Sequence, residues 1–313
     1  MIARLRQRAA ALARARQFFA DRDVLEVQTA VLGRRTVSDP NIESLRVPTD
    51  DGSVRWLQTS PEYAMKRLLA EGSGDIYQIG PVFRAGERSA QHNPEFTLIE
   101  WYRLGFTLDA IMREATELAA VLLTPRAIAA EPRTTSYVDA FERNVGIDPL
   151  GATHASLASV ACEAGLAPSS VASASRDDLL DFLVATRVGP QLGHGHLTCL
   201  HHYPASQASL ARLDPHDART ALRFELYLDG VELANGFVEL GDAREQARRF
   251  AADNAVRLAG GRQAVEPDER LLAALERGLP ECAGVALGFE RLLMLASGAE
   301  RIGAVLALPD DAG

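Results

Sequence analysis

Basic residues are in short supply in this chain of 313 residues: Lys and Arg together number 33 against 42 Asp and Glu, a formal net charge of −9. That balance argues against broad nucleic-acid binding, which needs a basic face to neutralise phosphates, though it leaves room for a local basic groove. No run of 18 or more apolar residues occurs, which excludes a membrane helix on hydropathy. The 3 cysteines, Cys162, Cys199 and Cys282, are odd in number, far apart and without metal-ligand spacing. Buried thiols in a reduced, cytoplasmic setting are the simplest reading. A Ser/His/Asp triad, a P-loop, an internal repeat and a long disordered tract are all missing. What remains, 47% apolar and 24% charged, is an ordinary globular composition long enough for one or two domains with a large core.

Residues 1–20 carry Arg4, Arg6, Arg8, Arg14 and Arg16 and no acid, as a transit peptide would. Ile2, Leu5, Ala9, Leu12 and Phe19 fall roughly on one helical face, however, so an amphipathic helix is expected, followed by a strand over 24–32. Ser60 suits an N-cap, Pro61 the first helical position and Glu62 the positive end of the dipole for a helix through Leu69. A second helix is expected over 108–123, with Leu108, Ile111, Met112, Ala115, Leu118 and Leu122 inward. Residues 126–195, rich in Ala, Ser and Gly, read as an insertion with helical stretches near 154–165 and 176–187. A strand over 196–203, a hairpin over 223–237 turning at Asp229-Gly230, a helix over 243–259 and a strand–turn–helix over 284–298 complete the pattern. Hairpin-joined strands imply an α+β fold, a mainly antiparallel β-sheet flanked by helices.

The chemistry concentrates in Gly80–Arg103, an arginine-ended strand, a polar loop and a returning strand. On the return, Phe96, Leu98, Glu100 and Tyr102 share one face, and Thr97, Ile99, Trp101 and Arg103 the other. Arg84 offers a fixed fork for phosphate, or equally a surface salt bridge if taken alone. Arg291 lies in the first turn after Gly288, where free N–H groups favour an anion; by itself it also reads as a helix-surface arginine. Glu62, Glu100, Glu232 and Glu239 are each ordinary solvated acids on base rates. Glu100 is the exception, being set between apolar residues, and a buried carboxylate needs a cation or several hydrogen bonds. Glu232 and Glu239 point to opposite faces of a straight strand, and Asn235-Gly236 between them signals a bend or bulge. The dense HGHLTCLHH segment at 194–202 fits no zinc spacing and reads as a strand.

The stretch FR…HNPEFT…E-Y resembles motif 2 of the class II aminoacyl-tRNA synthetases, most closely the lysine type. Motif 1 resembles residues 12–32, with Ala30 where the family has proline; motif 3 resembles 284–298, with Ala286 in place of the middle glycine. Motif 2 spans about 75–103, so a single catalytic domain over 1–313 is expected. The resemblance implies that Arg84 grips the α-phosphate of ATP and the substrate carboxylate, with Arg291 on the γ-phosphate. It places Phe96 under adenine, and Glu87, His92, Asn93, Glu232, Leu233 and Gly288 around the nucleotide. The acid usual two positions beyond the arginine is Gly86 here, and Glu87 stands in for it. Glu100, Tyr102 and Glu239 would hold the terminal ammonium of a lysine-like substrate. Ser60, Pro61, Glu62, Asn235 and Ala286 would line the rest of its pocket. Glu232, with Glu239, would bind Mg²⁺ through the phosphates. The layout, with SPEY, PASQASLA, ELANGFVEL and GVALG, is similar to the elongation factor P–(R)-β-lysine ligases. These imply an adenylated lysine or β-lysine, elongation factor P as acceptor, a homodimer and no tRNA. The alternatives are a truncated lysyl-tRNA synthetase, a ligase for another carrier and an inactive lysine sensor.

Overall fold

Runs of strands and runs of helices follow one another along the computed structural model, which describes residues 2–126, 128 and 131–308. In chain order they begin with α1 (Ile2–Ala20), β1 (Leu25–Glu26), β2 (Leu32–Gly33), β3 (Arg46–Pro48), β4 (Val54–Leu57), α2 (Glu62–Ala70), β5 (Ile76–Phe83), β6 (Glu95–Leu104) and α3 (Leu108–Leu123). Then come β7 (Arg133–Ser136), α4 (Tyr137–Asn144), α5 (His154–Glu163), α6 (Pro168–Val171), α7 (Arg176–Leu183), β8 (Thr198–Pro204), β9 (Thr220–Leu228) and β10 (Val231–Val238). The chain ends with α8 (Ala243–Ala259), α9 (Glu269–Arg277), β11 (Cys282–Gly288) and α10 (Phe289–Ser297). Two compact units result, Met1–Arg126 with Glu239–Gly313, and Ala127–Val238. The ends of the expected domain, Met1 and residues 309–313, lie outside the described residues.

In the first unit β1, β5, β6 and β11 lie side by side in that order, β1 parallel to β5 and the other pairs antiparallel. One face of this platform is apolar and covered. Phe19 of α1 stacks on Tyr77 at 4.2 Å between ring centroids and leans on Trp101 at 5.6 Å. Trp101 donates from Nε1 to the buried Glu114 of α3 at 3.0 Å, so its one polar atom is satisfied. The six residues expected inward on α3 are all buried. Helix α10 is fixed by Glu290, 2% exposed, which accepts from the Thr97 amide at 2.8 Å and pairs with Arg8 of α1 at 2.8 Å.

Four local expectations need correction in this unit. The buried stripe of α1 is Ala11, Ala15, Phe18 and Phe19, while Ile2 and Leu5 are exposed. Small alanines let α1 approach α3 closely, and Arg14 donates to carbonyls at the α3 C-terminus. The strand over 24–32 breaks into β1 and β2, because Thr29 bonds to the Gln78 side chain at 2.8 Å instead of to a neighbouring strand. β2 pairs instead with β4, in a small sheet ordered β2-β4-β3. Pro61, not Ser60, immediately precedes α2, although the Ser60 hydroxyl does accept from the Glu62 amide at 3.0 Å. Helix α9 was not anticipated from the sequence.

The second unit carries β10, β9, β8 and β7 side by side, with only β8 and β7 parallel. The hairpin turns where expected, with φ of 49° at Asp229 and 75° at Gly230, the two left-handed residues of a tight turn. The irregularity in β10 falls between Glu232 and Ala234, at Leu233, and not at Asn235-Gly236. One extra residue there shifts the alternation, so Glu232 opposite Tyr227 and Asn235 opposite Glu225 face the same way. Helices α5 and α7 pack on a core built from Tyr137, Phe141, Leu180 and Tyr203. Both units thus have mainly antiparallel strands flanked by helices. Of the cysteines, Cys199 and Cys282 are buried as expected but Cys162 is exposed, on the outer side of α5.

Replacing Glu290 by Ala leaves the Thr97 amide without an acceptor and Arg8 without its carboxylate. A loss of about 3 kcal/mol is expected, read as a lower midpoint in urea denaturation with an unchanged slope.

Candidate active site

The opposite face of the same platform, packed in part by Met65 and Leu69 of α2, collects the polar side chains. Strand register places Gln78, Glu100 and Ala286 in one row, with Tyr102 opposite Gly284 and Leu98 opposite Gly288. Glu100 is 2% exposed and accepts two hydrogen bonds, from Ser60 at 2.7 Å and from the Tyr102 hydroxyl at 2.8 Å. Burial, then the neighbouring Glu62, pushes its pKa up to about 8. Glu239, also buried, enters this face from the start of the chain's final segment, its amide bonded to the Cys282 carbonyl at 2.9 Å. Burial lifts Glu239 above the usual carboxylate range, against the pull of the ammonium of Lys66.

Lys66 was missed in reading the sequence, and the structure puts it at the centre. Its side chain is 1% exposed, and Nζ lies 2.6 Å from Glu62 Oε1 and 2.5 Å from Glu239 Oε2. Burial alone would discharge it, yet Glu239 and then Glu62 drive its pKa upward, so it stays an ammonium. A signal was available: among the 33 basic residues of the chain, Lys66 is the one lysine. The second oxygen of Glu239, Oε1, has no hydrogen-bond donor among the described residues. Gly284 keeps that space clear, since a Cβ there would sit 2.5 Å from Glu239 Oε1 and overlap the Tyr102 ring.

At the β5–β6 loop the guanidinium of Arg84 stands 5.1 Å over the Phe96 ring and 3.7 Å from Glu87. Its Nε–H is buried and has no acceptor among the described residues, an open valence suited to an anion. Gly86 adopts φ of 80°, a left-handed turn that disfavours the acid usual in the family and leaves Glu87 to face Arg84. Across the loop Arg291 donates to His92 Nε2 at 2.5 Å, and the Ser89 hydroxyl lies 2.7 Å from Nδ1. Because guanidinium only donates, His92 must accept at Nε2 and carry its proton on Nδ1. Burial and then Arg291 hold its pKa down, which keeps the ring neutral. Asn93 bonds the Glu95 carbonyl at 2.6 Å and shapes the loop, and Gly288 caps α10 without a side chain in the way.

These groupings gather Ser60, Glu62, Glu100, Tyr102 and Glu239 at one place, beside Pro61 and Ala286, and Arg84, Glu87 and Phe96 at another. Glu232, Leu233 and Asn235 belong to the second unit. There Leu233 is buried at the bulge, and Asn235 accepts from the half-buried Arg223 at 3.3 Å. Glu232, half-buried on the face of Asn235, presents oxygen donors of the kind Mg²⁺ takes. Glu239 does not fit that role, because an ammonium already lies against its Oε2.

The platform thus carries a buried cluster of carboxyl groups around Lys66 and, at the β5–β6 loop, the guanidinium of Arg84 with its Nε–H lacking an acceptor among the described residues. Over residues 1–312 the chain matches the class II tRNA synthetases (D, K and N), and it belongs to that family. Within it, the chain is 47% identical over 311 residues to the elongation factor P–(R)-β-lysine ligase of Photorhabdus laumondii, covering 98% of this chain and 94% of that protein. The ligase of the same name from Proteus mirabilis is 47% identical over 313 residues, with 98% and 95% covered. The one from Yersinia pestis is 45% identical over 313 residues, with the same coverage.

The raised pKa of Glu100 makes stability pH-dependent. Its folded value, about 8, exceeds an unfolded value near ~4.3. Its contribution is therefore full below the unfolded value and is lost as pH rises through about 8. Thermal melts of the ligand-free protein between pH 5 and 9 should show a falling midpoint, and Glu100→Gln should flatten the fall.

Proposed function

We propose that the chain uses ATP to adenylate (R)-β-lysine or lysine and transfers the aminoacyl group to the ε-amino group of a lysine in elongation factor P. The observation that carries this reading is the carboxylate cluster of Glu100 and Glu239, with Glu239 Oε1 open to a further donor. Such a cluster favours a substrate with a terminal ammonium and rejects a neutral analogue that would leave buried charge unpaired. The likeness to ligases of that name supports the acceptor.

In this reading the bound carboxylate attacks the α-phosphorus of ATP and pyrophosphate leaves. No protein nucleophile is needed; the chain aligns the reactants and neutralises charge. Arg84 directs its open Nε–H at the α-phosphate and the carboxylate, with adenine on Phe96. Arg291, oriented by neutral His92, meets the γ-phosphate. Glu87 and Asn93 shape the loop, and Gly288 leaves the α10 N-terminus bare for the anion. Mg²⁺ neutralises phosphate charge when bound; Glu232 is retained for it and Glu239 is not. Leu233 and Asn235, in the second unit, are the residues that the family resemblance assigns to the nucleotide and the amino acid, and Pro61 sets the entry of α2. Ala286, beside Glu100, adapts the floor to an altered amino acid. No side chain is assigned as base for the acceptor amine, and the adenylate phosphate takes that proton.

The protein acts as a cytoplasmic homodimer on an acceptor protein rather than on tRNA. Exposed Leu25 and Leu32 in the motif 1 segment support the dimer. Among the described residues no helix is long and apolar enough to cross a membrane.

Amino-acid-dependent pyrophosphate exchange tests activation. Arg84→Ala should lower it by at least about 100-fold, and Glu239→Gln should erode the preference for lysine over a neutral analogue by about tenfold or more. Labelled β-lysine offered with elongation factor P or with tRNA tests the acceptor. Label on tRNA alone refutes the transfer step.

A further inference from the structure

Every basic position in the chain but one is arginine, and the exception is buried among carboxylates. Arginine and lysine exchange freely where only surface charge matters, so a solitary lysine marks a place where a guanidinium will not serve. A compact ammonium can sit between two carboxylate oxygens in a closed slot, as Nζ does at 2.6 Å and 2.5 Å. A planar fork with five donors is too large for that slot and would leave donors unpaired.

Several elements line the slot. Glu62 comes from α2 itself, Glu239 from the segment after β10, Glu100 and Tyr102 from β6, and Cys282 from β11. Helix α9, packed on α2, turns Leu271, Ala274 and Leu275 inward. Three carboxyl groups thus face the Lys66 ammonium, so among the described residues of the cluster acids outnumber cations, and an incoming ammonium can replace the proton that burial keeps on Glu100.

We propose that Lys66 is a positioning and specificity-determining residue, a built-in ammonium that binds Glu62 to Glu239 and sets the pocket's charge to match a substrate with two ammonium groups. This rests on the functional reading above and adds to it a residue that reads the amino acid's total charge. Without Lys66 the cluster takes up a further proton at neutral pH, since the ammonium 2.5 Å from Glu239 is what opposes the upward pull of burial on that acid. The substrate ammonium must then displace that proton, so weaker binding and a shifted pH profile follow, with the chemical step untouched.

The test is pyrophosphate exchange from pH 6 to 9 with β-lysine, lysine and 6-hydroxynorleucine, a neutral-tailed analogue. Lys66→Met should raise KM for the diamino acids at least tenfold at pH 7. It should displace the fall of KM with pH by at least one unit, narrow the preference over 6-hydroxynorleucine, and leave kcat and the KM for ATP within about threefold, a margin well inside one decade of rate. Folding is checked by the rise in melting temperature on adding ATP. Should the Met variant fail that check, Lys66→Arg keeps the charge and is expected to raise KM without moving the pH profile. A Met variant with the wild-type KM and pH profile overturns the inference alone, as does an Arg variant whose profile moves. Absence of exchange in the wild-type protein with any diamino acid overturns the functional reading instead.

Discussion

A carboxyl group enters a protein interior only with an opposite charge, with hydrogen bonds or with its proton kept, and this constraint organises the site. Glu100 on β6 lies at 2% exposure, and Glu239, just after β10, at 5%. Hydrogen bonds from Ser60 and Tyr102 satisfy Glu100 only in part, as its elevated pKa records. The Lys66 ammonium compensates one charge and the pocket stays short of cations. A site in that condition is complementary to an amine before any amine arrives. Electrostatic selection of this kind is stored in the fold, because the acids are fixed by strand register and by the pitch of α2.

That storage depends on the opposite face of the same strands. β6 carries Trp101 and Ile99 into the apolar side while Glu100 and Tyr102 face the pocket, so the two functions are one residue apart. Phe19, Glu114 and Glu290 hold the apolar side by stacking, by a hydrogen bond and by an ion pair. Glu290 contributes twice: it locks α10 against β6, and the residue after it is Arg291, the partner of His92. Alignment chemistry needs this rigidity more than it needs reactive groups, since misplacement of the arginines by an ångström would forfeit much of the rate.

Period-two alternation made the faces of β6 readable directly, and the apolar spacing of α3 gave its inward residues without error. Both succeed because a strongly buried face leaves one register open to the chain. The face of α1 was misread because its contact is built from alanines, which carry little hydrophobic weight in a sequence yet allow close helix packing. The bulge at Leu233 was displaced from the expected Asn235-Gly236, since an extra residue in a strand needs no glycine when the partner strand accommodates it. Lys66 and Glu290 escaped notice for a shared reason. Each is a charged residue in a helix that pattern assigns to solvent, and only tertiary pairing from distant elements explains their burial.

The two small residues of β11 show how such a pocket can be altered and where it cannot. Gly284 lies opposite Tyr102, and its missing side chain is the space in which Glu239 Oε1 and the Tyr102 ring meet. Any Cβ at that position would collide with Glu239 and with the Tyr102 ring, so the bare residue is demanded by the charge cluster itself. Two residues on, Ala286 lies opposite Glu100 and its methyl is only half-buried. A methyl is tolerated there because no second carboxylate crosses the strand at that point. It takes up volume on the pocket floor without touching the Lys66–Glu239 pair. On the proposed reading, recognition of the amine and the shape of the rest of the amino acid are therefore separable on one strand: the first depends on the bare Gly284, and the second is open to change at Ala286.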